Sequence, residues 1–229
     1  MHFQSSEALT AYLLNNPKLT KLVIANGAAL TSQTVLPNTL TELLIYNCPL
    51  ANLPALPNSL KSLGIYDSQA LALPPLPNSL SRLVLYNCLQ LADVPELPGK
   101  LTLLLVYNCP NVSSLSELPC LLQSLEICNG PKLTTLAAFP DSLTRLVIYD
   151  CNALVNLHTM PKSLKHLGVF NCAALANLQG VPDNLTDLAI HNCPALTNLH
   201  ELRNKLSGGS YITEWGYSIA PPALVSESN

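Results

Sequence analysis

The chain has 229 residues, 48% of them apolar and only 11% charged, with a formal net charge of −3. That balance supplies no basic field for a phosphate backbone, so nucleic acid is not expected as a partner. No apolar run approaches the roughly 20 residues that span a bilayer, so membrane insertion is not expected either.

Residues 1–18 read as an N-terminal helical cap. The start, Met1-His2-Phe3-Gln4-Ser5-Ser6-Glu7, lacks the basic region and long apolar stretch of a Sec signal. A short helix is predicted from Ser5 to Asn15. Ser6 would be its N-cap, Glu7 lies in its first turn, and Ala8, Leu9, Tyr12 and Leu13 form an apolar stripe. Pro17 ends it.

From residue 19 to 205 one pattern recurs. Copies begin at Leu19, Leu40, Leu60, Leu80, Leu101, Leu122, Leu143, Leu164 and Leu185, spaced 20 or 21 residues apart. A fixed period of this length implies a solenoid whose coils bury a continuous core. In the copy Leu40-Thr41-Glu42-Leu43-Leu44-Ile45-Tyr46-Asn47-Cys48, positions four and six are inward and apolar. Positions three, five and seven then face the other way, as alternation along a strand requires. Nine parallel strands, one per copy, are expected to line a concave side. The second half of each copy carries a proline at a constant place: Pro37, Pro57, Pro77, Pro98, Pro119, Pro140, Pro161 and Pro182. Proline fixes φ and holds its predecessor extended, so the convex side should be extended or polyproline rather than helical. The Asn-Ser or Asn-Thr that follows (Asn38-Thr39, Asn58-Ser59, Asn78-Ser79) should turn the chain into the next strand.

The eight cysteines do not read as a disulfide framework. Six of them, Cys48, Cys88, Cys109, Cys151, Cys172 and Cys193, hold the ninth position of their copies, where Gly27, Ser68 and Gly130 stand in the others. A small polar group there can satisfy backbone where the chain leaves the strand, and a buried thiol does so as a weak donor. Neighbouring coils lie about 4.8 Å apart, so a disulfide is sterically conceivable. Reduced structural thiols, and hence a reducing intracellular setting, are the expectation. No Cys-x-x-Cys pair occurs, and no metal or cofactor is expected.

The pattern L-x-x-L-x-(I/L/V)-x-x-(N/C)-x-x-L resembles the leucine-rich-repeat family over most of the chain. The Leu-Pro-x-Leu-Pro-x-Ser-Leu motif narrows this to a resemblance with the short, proline-containing repeats of bacterial effectors delivered into eukaryotic host cells. Some members of that class carry a ubiquitin-ligase domain with a Cys-x-Asp motif. This sequence contains no Cys-x-Asp, so ligase activity is not carried over. The resemblance implies a start in the bacterial cytoplasm, delivery through a specialised secretion system into host cytoplasm, and a host protein as partner of a monomeric chain. The Asn-Cys strand ending departs from that class, which more often has Asn at position nine.

Candidate function falls on the outward positions. Position seven reads Ala25, Tyr46, Tyr66, Tyr86, Tyr107, Cys128, Tyr149, Phe170 and His191. Such rings can form a stiffening ladder, a binding stripe, or both. Position five is small or apolar except for Glu126, which makes a partly apolar band beside the rings. Position three includes Arg82, Arg145, His166 and Asp187, the last three expected as a charge-paired row. Position eight is always Asn or Asp, expected to bond nearby backbone where the strand turns. Asp187 and His191 lie four strand residues apart, roughly 13 Å, too far to share a metal or a proton. The two sequons, Asn111-Val112-Ser113 and Asn184-Leu185-Thr186, carry no weight without a signal peptide. These features predict a non-enzymatic protein-binding module acting through its concave face. Carbohydrate or glycolipid recognition by the Tyr and Asn stripes is the alternative, and an enzyme whose catalytic part sits on a partner is a third reading.

Residues 206–229 read as a C-terminal cap and tail. Arg203 replaces the expected proline, Leu206 opens an incomplete copy, and Gly208-Gly209 stops it. Ile212, Trp215 and Tyr217 are the residues available to seal the last layer, ahead of Pro221-Pro222.

Overall fold

The computed structural model describes residues 3–25, 30–47, 53–69, 72–115, 117–198 and 202. The expectations for Gly27, Cys48 and the C-terminal residues from Arg203 onward lie outside them.

The helix forms as α1, Ser6–Asn15, but its N-cap is Ser5 rather than Ser6. Ser5 is in the extended region, and its side chain accepts a hydrogen bond from the Ala8 N–H, three residues on. Ser6 already has helical geometry, so it cannot turn its oxygen back onto the first turn. Of the predicted stripe, Leu9 and Leu13 are buried, Tyr12 packs at the margin against Phe3, and Ala8 is exposed.

Among the described residues nine strands follow: β1 Lys21–Ala25, β2 Glu42–Tyr46, β3 Ser62–Tyr66, β4 Arg82–Tyr86, β5 Leu103–Tyr107, β6 Ser124–Cys128, β7 Arg145–Tyr149, β8 His166–Phe170 and β9 Asp187–His191. They pair in sequence order in one parallel sheet with no register slip. The fold is a leucine-rich-repeat solenoid of stacked coils with one short helix at its N-terminal end. Equal register places identical repeat positions side by side. Positions four and six are accordingly buried on every strand, from Leu22 and Ile24 to Leu188 and Ile190.

Each proline starts a turn rather than merely straightening the chain. The N–H of the leucine that opens a copy donates to the carbonyl of the proline three residues before it, as in Leu60 to Pro57 and Leu143 to Pro140, both at 3.0 Å. The serine between them has a separate task. Ser59, Ser79, Ser142 and Ser163 donate to the position-one carbonyl of the preceding coil at 2.6–2.7 Å. That bond tethers adjacent coils at the edge of the sheet, which explains the serine of the Leu-Pro-x-Ser-Leu motif.

Position nine behaves as its chemistry requires. Cys88, Cys109, Cys151, Cys172 and Cys193 are free and buried. Each donates its S–H to the position-seven carbonyl of its own copy, at 3.3–3.7 Å. Ser68 makes the same bond at 3.1 Å. Burial pushes the Cys151 thiol up to about 12. The hydrogen bonds Cys88 makes with Cys109 and Cys172 makes with Cys193, together with burial, raise Cys88 and Cys172 as well. Gly130 leaves the slot empty, beside a cavity of about 10 Å³ lined by Val106, Cys109, Val112, Ile127 and Leu133 among others.

Candidate interaction surface on the concave face

Position eight closes each strand with a residue in the left-handed region. Asn47, Asp67, Asn87, Asn108, Asn129, Asp150, Asn171 and Asn192 all have φ between 45° and 55°. Asn and Asp tolerate that region better than other side chains that carry a Cβ, which accounts for their monopoly of the position. Five of the side chains donate sideways between coils rather than to nearby backbone as expected. Asn129 donates to Asn108, Asn108 to Asn87, and Asn87 to Asp67; separately, Asn192 donates to Asn171 and Asn171 to Asp150. A carboxylate accepts but has no proton to pass on, so each run ends at an Asp. Backbone at this position is satisfied otherwise: the Asn87 N–H, for example, reaches the Tyr107 carbonyl of the next coil at 2.9 Å.

Position seven forms the aromatic ladder in two pieces. Tyr46 and Tyr66 stack with centroids 4.6 Å apart and planes 11° from parallel. Tyr66–Tyr86 and Tyr86–Tyr107 continue the run, tilted, at 6.2 and 6.1 Å. Cys128 then interrupts it, and Tyr149–Phe170 is a separate pair at 5.7 Å. The rings face away from the leucine core, yet several are far from exposed. Tyr66, Tyr107 and Phe170 keep 8%, 9% and 3% of their surface.

The reason lies two residues earlier. A Cβ at Gly64 would come within 2.7 Å of the Tyr66 ring, and one at Gly168 within 2.9 Å of the Phe170 ring. Each ring therefore lies down over the backbone of its own strand, in space only glycine leaves open. Position five is correspondingly no continuous exposed band, since Gly64, Val84 and Gly168 are buried beneath or between rings. The sequence signal was Gly-x-aromatic on one strand, Gly64 with Tyr66 and Gly168 with Phe170.

At the break, Glu126 joins three strands. Its carboxylate accepts from the Tyr107 hydroxyl on β5 and from Arg145 Nε on β7, the latter at 2.7 Å. Burial, followed by that carboxylate, raises the Tyr107 phenol well above its ordinary value, because a phenolate there would abut a negative charge. Burial also pushes the Cys128 thiol in the gap up to about 11.

Arg145 thus pairs with Glu126 and not with the expected row; His166 and Asp187 pair with each other. At the other end Lys21 meets Glu42 at 3.4 Å. Arg82 stands exposed on β4, between Ser62 and Leu103 of the flanking strands. Among the described residues, no group of three or more His, Cys, Asp or Glu side chains could hold a metal ion. No helix among them is long and apolar enough to cross a membrane.

No family model and no curated protein matches this sequence. Solved structures that resemble it are leucine-rich-repeat proteins. The leucine-rich-repeat domain of the type III effector XCV3220 (XopL) is 21% identical over 86% of this chain and 66% of its own, with a TM-score of 0.45. CroV588, a circular leucine-rich-repeat protein, is 24% identical over 76% of this chain and 37% of its own, at 0.42. YopM from Yersinia enterocolitica WA-314 is 22% identical over 85% and 58%, at 0.34. The chain therefore spans between about a third and two thirds of the length of these three.

Proposed function

We propose that this chain is a non-enzymatic protein-binding module that grips its partner across the concave face. The observation that supports this best is the unbroken run of Tyr46, Tyr66, Tyr86 and Tyr107 on four adjacent strands. Rings locked against glycine and against one another offer apolar area that is already ordered, so binding loses little side-chain entropy. Tyrosines of this kind serve as anchors at interface centres. The Leu-Pro-x-Leu-Pro-x-Ser-Leu motif is the ground for taking the module to be a bacterial effector, delivered by a specialised secretion system to a host protein. Sugar recognition is the weaker reading, because the side-chain amides of Asn87, Asn108, Asn129, Asn171 and Asn192 already donate to one another. One of the two N–H groups of each amide is thereby taken, which halves the donors left for the hydroxyls of a glycan.

The burial of Tyr66 and Tyr107 decides how to test it. Truncating either would uncover backbone and disturb the fold, so the less buried Tyr46 and Tyr86 are the better targets. A Tyr46→Ser, Tyr86→Ser chain should melt near the wild type and lose the protein that the wild type captures from eukaryotic lysate. Changes at the exposed convex residues Asn58, Asn78 and Lys162 should leave capture intact. Equal capture by both variants would move the site off the concave face. A glycan-array signal with no captured protein would favour the carbohydrate reading.

A further inference from the structure

The nine strands carry six residues that are charged at neutral pH: Lys21, Glu42, Arg82, Glu126, Arg145 and Asp187. Five have a partner on an adjacent strand: Lys21 with Glu42, Arg145 with Glu126, and Asp187 with His166. The sixth is Arg82, which enters no ion pair among the described residues. Register explains why. Its position-three neighbours are Ser62 and Leu103, and position five offers Gly64, Val84 and Leu105, none of which carries charge.

Arg82 is also the charge set closest to the middle of the tyrosine run, on the strand that carries Tyr86. Position three and position seven of one strand are roughly 13 Å apart. A single extended segment of a partner can therefore cover both. We infer that Arg82 receives an Asp or Glu carboxylate from the partner protein, and that an apolar side chain about four residues along the same segment rests on Tyr86. Charge matching supports a carboxylate over a phosphoryl group, since one guanidinium balances one carboxylate and the chain as a whole is at −3. Guanidinium and carboxylate also match as planar, two-pronged groups. This deepens the reading of the concave face as a protein-binding surface and rests on it.

The test is selection of a displayed random peptide library on the full chain, followed by affinity measurements on Arg82→Gln, Arg82→Glu and Tyr86→Ser. Arg82 is exposed, so its two changes should leave the melting temperature unaltered, while Tyr86→Ser, which removes two ring contacts, should lower it slightly and leave the chain folded; both are checked first. Wild-type binders should be enriched in Asp or Glu about four residues from an apolar one and should weaken about tenfold on Arg82→Gln, the scale of one charge-assisted hydrogen bond. They should weaken on Tyr86→Ser as well, and Arg82→Glu should select Lys or Arg at the same place. Peptides that need Tyr86 but show no acidic enrichment and ignore Arg82→Gln overturn this inference and leave the concave site standing. Peptides indifferent to all three changes, or a selection that yields none, overturn it together with the concave reading.

Discussion

The two halves of the concave face use the same repeat to different ends. From β2 to β5 every position-seven residue is a tyrosine, the rings touch in series, and the charges are few. From β7 to β9 only Tyr149 and Phe170 touch, and the surface is given to Arg145, His166 and Asp187. One strand separates them. On β6 the ring is replaced by Cys128 and the small residue of position five by Glu126. The lost ring contact is replaced by a carboxylate that ties Tyr107 to Arg145. A ladder of side chains is thus cooperative only over uninterrupted neighbours, and a single substituted coil sets the boundary between two surfaces.

The largest expected effect ignores that boundary. Free thiols ordinarily titrate near 9, whereas Cys151 is pushed up to about 12, so between these values the folded chain keeps a proton that the unfolded chain gives up. The protonated fold is then fully favoured below about pH 9 and loses that advantage as the pH rises toward 12. The hydrogen bond that raises Cys88 lowers Cys109, and the one that raises Cys172 lowers Cys193, so each of those pairs opposes itself and Cys151 sets the direction. Unfolding free energies from urea denaturation followed into alkali should fall for the whole solenoid together, by about 4 kcal/mol, and Cys151→Ala should flatten the profile. A fall confined to one half would show that the thiols do not form a common spine.

Next come the glycines, which compare the halves directly. Gly64→Ala drives a Cβ to within 2.7 Å of the Tyr66 ring and 2.8 Å of Leu44 Cδ2, while Gly168→Ala meets only Phe170 below 3 Å. Thermal denaturation should show a loss of about 2 kcal/mol for the first and about 1 kcal/mol for the second. Equal losses would mean that the long ladder is no stiffer than the isolated pair. At the boundary itself, Glu126→Ala strips a partner from both the Tyr107 hydroxyl and Arg145. It should destabilise by about 1–2 kcal/mol in urea unfolding, with a Tyr107 phenol that ionises at lower pH in ultraviolet titration. The smallest effect has the opposite sign. A Cβ at Gly130 would sit 3.4–3.6 Å from Cys151 Sγ, Leu133 and Ile127, in ordinary contact. Gly130→Ala should therefore stabilise by about 0.5–1 kcal/mol.

What could be read in the sequence was whatever depends on one position of one coil. Period, strand register, the burial of positions four and six, the proline turns and the thiol slot all follow from residue type alone. What escaped depends on two positions at once. Tyr66 is buried because of Gly64, Arg145 turns to Glu126 instead of His166, and Arg82 stands apart because Ser62 and Leu103 flank it. The Asn row was read as turn chemistry, and its positive φ agrees. Its hydrogen bonds run sideways between coils, because equal register brings like amides within reach of each other.

That row also has a direction. Asn87, Asn108, Asn129, Asn171 and Asn192 all donate toward the N-terminal end, so their dipoles add along the long axis and stop at Asp67 and Asp150. The polarity decides what an inserted coil would do to the row. A new coil bearing Asn can enter within a run and pass the hydrogen bond along. One bearing Asp accepts from the coil after it but gives nothing to the coil before it, so it closes one run and founds the next, as Asp150 does beyond Asn129. Asp67 and Asp150 therefore head two runs along the coils of β3 to β9, each able to take a further Asn-bearing coil while its first coil stays as it is.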